Sequence, residues 1–335
     1  MAAQDFYTLK NAEKLQIITQ VAEQQNLPYF AIEKDWWVVQ TLSIIFQLDV
    51  ANHLLFKGGT SLSKAWQLIN RFSEDIDLVL NREYLGFDGG LISKSQVKKL
   101  REASFEFVTT VFYEALQKAF AEKGYTDVTF DFENLGDGDQ DPVSILIYYP
   151  AVTEHSEYVL PRVKVELGSR SLKDPCSNCE IASFVGEQFI ELPFADVPIT
   201  IPCVNPERTY LEKLFLLHEE FQKPKDKIRV DRLSRHLYDI TKIYNSKHKD
   251  KAYNQELIVA IIKYRERFNG MRGVDYSTLY PPNLNPIPPQ EFIKTWEEDY
   301  KTMQTNMIPE DSPSFKDLLE TVKQATKEYN ALKFE

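Results

Sequence analysis

Cysteine and long apolar runs are scarce in this 335-residue chain, and each shortage excludes a class of protein. Three cysteines are too few, and odd in number, for a disulfide framework, so a reducing cytoplasm is the simplest location. No apolar run approaches the roughly 18 residues that a membrane-spanning helix needs. Residues 1–6 lack the basic and apolar regions of a secretory signal. We therefore expect a cytoplasmic protein with no membrane segment.

Positive charge is also in short supply, since the formal net charge is −11. Proteins that coat nucleic acids need clustered Lys and Arg, so the overall balance argues against that class. Residues 223–236 are a local exception, with six basic and two acidic residues. This segment could contact an RNA backbone, or its charges could simply face solvent on a helix, and both interpretations stay open.

The predicted secondary structure divides the chain into two parts. Apolar spacing predicts two helices within residues 8–50 and further helices over 61–70 and 94–123. Strands are predicted in the same half of the chain, at residues 54–56, 76–80, 126–132, 143–149 and 159–167. The proline-containing stretch 170–205 is expected to be irregular, and helices come after it. The sequence thus predicts a mixed α/β unit over 1–205 and a helical unit over 206–335.

The strongest local signal begins with a glycine pair directly after the first predicted strand. Gly58 and Gly59 would let the backbone approach a phosphate without a Cβ in the way. Thr60 and Ser61 come next with two hydroxyl groups, and the free N–H groups of the next helical turn can face an anion. A glycine pair alone is often only a turn, so its meaning depends on the residues that come after it.

An aspartate pair lies on the next predicted strand. Asp75 and Asp77 are two residues apart, so both carboxylates point to the same side. On a later strand, Lys164 and Glu166 alternate with apolar residues, and Glu166 could add a third carboxylate. Carboxylates held this close repel each other unless a cation neutralises them, and hard oxygen ligands suit Mg²⁺ or Mn²⁺. Together the two motifs predict a site for a divalent cation and a phosphate group.

These motifs resemble the AbiEii/AbiGii family of abortive-infection toxins, a branch of the DNA polymerase β-type nucleotidyltransferase superfamily. The resemblance rests on residues 58–64, Gly-Gly-Thr-Ser-Leu-Ser-Lys, and 71–78, Arg-Phe-Ser-Glu-Asp-Ile-Asp-Leu. Residues 33–38, which read Glu-Lys-Asp-Trp-Trp-Val, are similar to an N-terminal helix motif of the family. Residues 212–214 and 235–240 are similar to its two later motifs. The resemblance implies an α/β (α+β) fold, with a mixed sheet flanked by helices and a helical C-terminal domain.

The resemblance also implies roles for individual residues. Asp75 and Asp77 would be catalytic metal ligands, with Glu166 as the third carboxylate. Nucleotide binding is assigned to residues of the same two motifs, namely Gly58, Gly59, Thr60, Ser61, Lys64, Arg71 and Ser73. Lys213 and Asp239 would be catalytic partners supplied by the helical domain, although the residues alone favour an ordinary ion pair.

The activity that the resemblance implies is transfer of a nucleoside monophosphate from an NTP, with GTP or CTP expected, to an RNA acceptor. The expected acceptor is the 3′ end of tRNA, the outcome is growth arrest, and the partner is a cognate antitoxin encoded nearby. Two alternatives remain open, a non-catalytic nucleotide-sensing module and an enzyme that nucleotidylates protein side chains. The intact acid pair favours catalysis, because a sensor has less need of two crowded carboxylates.

Overall fold

A computed structural model describes residues 5–90, 92–154, 159–169, 175–308 and 312–334. The chain forms two compact units, the first of which comprises the chain up to Trp66 together with Phe72–Cys203. The second comprises Gln67–Arg71 together with the chain from Val204 onwards. The predicted combination of a mixed sheet, flanking helices and C-terminal helices is confirmed.

The first unit is built on a seven-stranded mixed sheet. Its strands are β1 Leu54–Lys57, β2 Asp75–Leu80, β3 Thr129–Phe132, β4 Val143–Tyr148, β5 Arg162–Gly168, β6 Cys176–Ile181 and β7 Ile199–Val204. They lie in the order β3-β4-β5-β2-β1-β7-β6. Strand β2 is antiparallel to β1 and parallel to β5, and this register sets Asp77 opposite Lys57 on one side and Glu166 on the other.

The helices of the first unit cover this sheet. They are α1 Asn11–Gln25, α2 Tyr29–Ile45, α3 Gly58–Thr60, α4 Lys94–Phe107, α5 Tyr113–Glu122 and α6 Phe184–Gln188. A π-helical turn, Ser61–Ala65, continues α3, and another, Val108–Phe112, joins α4 to α5. Helix α2 is buried along nearly its whole length, including its charged residues Glu33, Lys34 and Asp35. Because buried charges need partners, this helix must hold other parts of the unit by ion pairs and hydrogen bonds.

The second unit is helical. Its helices are α7 Pro206–Phe221, α8 Arg235–Tyr244, α9 Lys249–Ala252, α10 Gln255–Phe268, α11 Ile293–Met307 and α12 Phe315–Asn330. Helix α7 begins with a proline at its first position, where the missing N–H costs no hydrogen bond. Helix α8 packs against both α7 and α12, and its buried face carries Leu237 and Ile240. In the part of the chain that the structure describes, no helix has the length and apolar character of a membrane span.

Two secondary-structure predictions are wrong. The helix expected over 61–70 ends at Ala65, because Gln67 takes a left-handed conformation with φ of +51°. The stretch 170–205, expected to be irregular, contains β6, α6 and β7, while residues 170–174 lie outside the described residues. Strand β6 is a polar edge strand and β7 contains Pro202, and both features weaken a strand signal.

Candidate active site

Gly58 lies directly against the carboxylate of Asp77. Its φ of +81° is in the left-handed region that favours glycine, and a Cβ built on it would lie 1.9 Å from Oδ2 of Asp77. A glycine is therefore required here both by the backbone conformation and by the space available. The register of β1 and β2 explains the contact, because Lys57, the residue before the glycine, pairs with Asp77.

The predicted acidic residues share one face of the sheet. Asp75 and Asp77 are half-buried and alternate with buried apolar residues of β2. Glu166 pairs with Asp77 across β2 and β5, and Lys164 pairs with Asp75. Residues directly opposite each other lie on the same face, so three carboxylates and one ammonium group are gathered there.

Lys164 offsets part of this negative charge. Its Nζ lies 2.7 Å from Oε1 of Glu166 and 2.5 Å from Oε2 of Glu133. Burial alone would lower the pKa of Lys164, but these hydrogen bonds raise that pKa above its ordinary value. The ammonium group therefore stays charged, and Glu166 is held by it on the acidic face.

The acidic face fits a divalent cation that is shared with a substrate. Carboxylate oxygens are ligands that Mg²⁺ prefers, and proteins often bind this ion through one or two carboxylates together with substrate phosphates. Among the described residues, no group of three or more His, Cys, Asp or Glu side chains is arranged to hold a metal unaided. Asp75 and Asp77 could supply two carboxylate ligands to such an ion, and a substrate phosphate would complete its coordination.

Thr60 ties the glycine turn to the acidic strand. Its buried Oγ1 donates a hydrogen bond to the carbonyl oxygen of Asp75 and lies 3.0 Å from Oγ of Ser73. Ser61 is buried beside it, and Ser63 Oγ donates to the carbonyl oxygen of Thr60. The hydroxyl group of Thr60 thus links the glycine turn to the start of the aspartate strand.

Lys64, predicted to bind nucleotide, forms a buried ion pair with Asp35 of α2. Their charged atoms are 2.8 Å apart, and the side chains are only 6% and 4% exposed. Asp35 also accepts a hydrogen bond of 2.8 Å from the backbone N–H of Phe184. Burial raises the pKa of Asp35, and the ammonium group of Lys64 opposes this rise. In this arrangement Lys64 orients the turn that comes after the glycine pair.

The two residues before Asp35 hold other loops of the first unit. Lys34 Nζ contacts Oε2 of Glu74 and donates to the carbonyl oxygen of Leu160 at 3.0 Å. Glu33 accepts hydrogen bonds from the backbone N–H groups of Val152 and Thr153. Three consecutive charged residues of α2 therefore hold separate segments, one of which begins the acidic strand. The sequence motif drew attention to these residues, but it gave no role to them.

The helical unit contains a second charged cluster, in which Asp239 receives two cations. Arg71 donates from Nε to Oδ1 and from Nη2 to Oδ2, both at 2.8 Å. Lys213 Nζ lies 3.0 Å from Oδ2. All three side chains are buried, and Asp239 is fully so. Burial alone would raise the pKa of Asp239, but the positive charges of Arg71 and Lys213 hold that pKa below its ordinary value.

His236 completes this cluster, and the sequence favours a packing or hydrogen-bonding role for it. Its Nδ1 lies 3.3 Å from Nζ of Lys213. The pKa of His236 lies well below its usual range. The largest cause is burial of the ring, and the positive charges of Lys213 and Arg235 add to it. The sequence signal that could have found it was its place in the motif at residues 235–240, which also contains Asp239.

The basic segment at residues 223–236 is partly neutralised. Lys223 and Arg229 both lie 2.7 Å from Oε2 of Glu220, and Lys225 lies 2.5 Å from Glu291. The side chains of Lys225 and Arg229 remain 80% and 63% exposed. These partners favour ordinary surface charge for three of the six basic residues that sequence analysis considered as an RNA contact.

A groove of about 310 Å³ lies elsewhere in the first unit. It is lined by residues from the end of α2, by Tyr84 and by residues of α4 and α5 with the π-helical turn between them. None of the predicted site residues lines it. The groove therefore gives no support to the predicted site and does not alter the assignment of its residues.

Comparison with known protein families finds a match that covers most of the chain. A family model described as "Nucleotidyl transferase AbiEii toxin, Type IV TA system" matches residues 41–321. The matched region contains the glycine turn, the three carboxylates and the cluster around Asp239, and it covers most of the chain. No curated protein matches the chain.

Proposed function

The chain belongs to the AbiEii nucleotidyl transferase toxin family, and from this premise we propose that it transfers a nucleoside monophosphate from an NTP to an RNA acceptor. The family consists of transferases of the EC 2.7.7 type that act as toxins of toxin–antitoxin systems. We expect the 3′ end of tRNA as the acceptor, GTP or CTP as the donor and growth arrest as the outcome. The cognate antitoxin would oppose this arrest.

The contact between Gly58 and Asp77 is the observation that supports this proposal most directly. A glycine in this position brings bare backbone next to a carboxylate, so a phosphate group at this backbone could share a cation with the carboxylate. A cation bound by Asp75 and Asp77, either Mg²⁺ or Mn²⁺, would neutralise charge on the triphosphate and on the departing pyrophosphate. Gly59, Thr60, Ser61 and Ser73 would shape the phosphate pocket around that contact.

The remaining roles come from the chemistry of the transfer. The acceptor hydroxyl oxygen bonds to the α-phosphorus, the bond to pyrophosphate breaks, and one of Asp75, Asp77 and Glu166 takes the hydroxyl proton. Glu166 is one candidate because it lies on the acidic face, directly opposite Asp77. Lys213 would offset the negative charge that develops on the leaving group, with Asp239 keeping it charged.

The test is a transfer assay with purified protein, Mg²⁺, each α-labelled NTP in turn and total tRNA. We expect label in tRNA, and Asp77→Asn should reduce its rate by about 10²–10⁴-fold while the protein stays folded. Asp131→Asn, on the edge strand β3 of the same sheet, is the matched control and should retain activity. A folded Asp77→Asn variant that transfers at the rate of the Asp131→Asn variant would exclude the role given to Asp77.

The same assay separates the two alternatives when cell lysate replaces tRNA. Label in protein but not in RNA would identify an enzyme that nucleotidylates protein side chains. Saturable binding of NTP without label in any acceptor would identify a nucleotide sensor. Either result would overturn the RNA acceptor while leaving the family assignment in place.

A further inference from the structure

We propose that His236 is a positioning residue that, together with Asp239, holds the ammonium group of Lys213 in one fixed direction. The proposal rests on the proposed function only in giving Lys213 a task in the transfer reaction. The contacts themselves lie wholly within the helical unit. His236 touches no reacting atom in this proposal and acts through Lys213.

The two acceptors lie on neighbouring turns of one helix. His236 and Asp239 are three residues apart on α8, so their side chains are on the same face, and Lys213 approaches them from α7. Its Nζ is 3.3 Å from Nδ1 of His236 and 3.0 Å from Oδ2 of Asp239. An ammonium group has three N–H donors, and two fixed acceptors determine the direction of the third.

Asp239 alone cannot provide this direction. Both of its carboxylate oxygens accept hydrogen bonds from Arg71, and the oxygen that faces Lys213 is one of the two. With a single shared contact, the side chain of Lys213 could still change its orientation about the line that joins Nζ to that oxygen. His236 adds a second point of attachment, which removes this freedom.

The arrangement requires a neutral imidazole. An Nδ1 atom accepts from an ammonium group only when it carries no proton, so the ring proton must be on Nε2. Burial and the nearby charges of Lys213, Arg235 and Arg71 lower the pKa of His236, and Asp239 opposes them. The surroundings therefore favour the form of His236 that can accept a hydrogen bond.

The consequence for Lys213 is a shift in the pH at which it loses its proton. Burial lowers the pKa of Lys213, Asp239 raises it, and Arg71 and Arg235 lower it. A hydrogen bond to the charged form favours that form, so the acceptor on His236 keeps Lys213 protonated to higher pH. Removing that acceptor should move the alkaline limb of the kcat/KM profile to lower pH.

Two substitutions at one position test this. His236→Leu removes the acceptor and keeps the bulk, so we expect kcat/KM to fall about ten- to a hundred-fold and the alkaline limb to move down by roughly one pH unit. His236→Asn places an amide oxygen where Nδ1 stood and should keep the alkaline limb of the wild-type protein. His248→Asn changes another buried histidine of the helical unit, which lies 3.6 Å from Glu207, and should leave the limb unmoved.

A measurement that does not depend on activity separates this proposal from the proposed function. In the full-length protein labelled with ¹⁵N-histidine, His236 should appear as the neutral tautomer protonated at Nε2 at neutral pH. An imidazolium, or a proton on Nδ1, would overturn the proposal whether or not the protein transfers nucleotide. An alkaline limb that is identical in His236→Leu and wild type would overturn it as well. Failure of wild-type transfer together with the expected tautomer would instead count against the proposed function alone.

Discussion

At the scale of single residues, the contact between Gly58 and Asp77 allows a sharp comparison of two glycines. Gly86 has nearly the same backbone conformation, with φ of +80° against +81°, but a Cβ built on it meets nothing within 4 Å. Alanine at either position adopts a left-handed conformation, which costs about 1–2 kcal/mol. Only at Gly58 must the new methyl group also displace a carboxylate.

We therefore expect Gly58→Ala and Gly86→Ala to differ much more in transfer activity than in stability. Urea denaturation should show losses of about 1–2 kcal/mol for Gly86→Ala and somewhat more for Gly58→Ala. Transfer should fall by about 100-fold in Gly58→Ala, because Asp77 moves, and stay near the wild-type rate in Gly86→Ala. Equal transfer rates in the two variants would show that transfer does not depend on the position of the Asp77 carboxylate.

At this scale, the sequence could predict groups of residues that lie close together in the chain, but not contacts between residues that lie far apart in it. The glycine pair and the aspartate pair are local patterns, and their residue types indicate their chemistry. The partners of Arg71 and Lys64 are not local, since Arg71 bonds to Asp239, 168 residues away. No pattern of spacing identifies such a pair, so the carboxylate partner of Arg71 could not be predicted from the sequence.

At the scale of elements, the buried charges of α2 make the start of β2 dependent on a helix about 40 residues upstream. Lys34 and Glu74 form a pair in which both side chains are less than 10% exposed. Breaking a buried pair by removing one partner typically costs about 3–5 kcal/mol, because the other charge is left without compensation. Glu74 directly precedes Asp75, so this pair also fixes where the acidic strand begins.

A double-mutant cycle should reveal this dependence. We expect Lys34→Met to lower the free energy of unfolding by about 3–5 kcal/mol, and Lys34→Met with Glu74→Gln to lower it by less than the two single changes added together. Lys98→Met is the control, because Lys98 forms an exposed pair with Glu102 on α4, and it should cost less than about 0.5 kcal/mol. Strict additivity of the two changes in urea denaturation would contradict the proposed coupling.

Helices and strands whose apolar residues recur at regular spacing could be predicted from the sequence, and those without regular spacing could not. The two helices within residues 8–50 and the helical stretch over 94–123 were predicted, because apolar spacing is regular there. Strands β6 and β7 were not predicted, because pairing within the sheet stabilises them while their own residues give a weak strand signal. The extra strands complete the sheet beside β1, so the glycine turn starts from an interior strand, a position that the sequence alone did not indicate.

At the scale of the whole molecule, the negative charge belongs to one unit. The first unit holds 16 Lys and Arg against 29 Asp and Glu, a formal charge of −13. The second holds 23 against 21, a charge of +2, and together they give the −11 of the chain. Net charge far from zero destabilises a compact state through self-repulsion, so the first unit bears an electrostatic cost that the second does not.

Salt should therefore stabilise the two units unequally, and hydrogen exchange can measure each unit within the intact protein. Raising NaCl from about 0.01 M to about 1 M shortens the Debye length from about 30 Å to about 3 Å, which screens the repulsion within the first unit. We expect the core amides of β2, β4 and β5 to exchange more slowly in high salt and those of α7 and α8 to change little. Sucrose strengthens burial without screening charge, so it should slow exchange in both units. Equal slowing by salt in both units would contradict the electrostatic explanation, because the second unit has almost no net charge to screen.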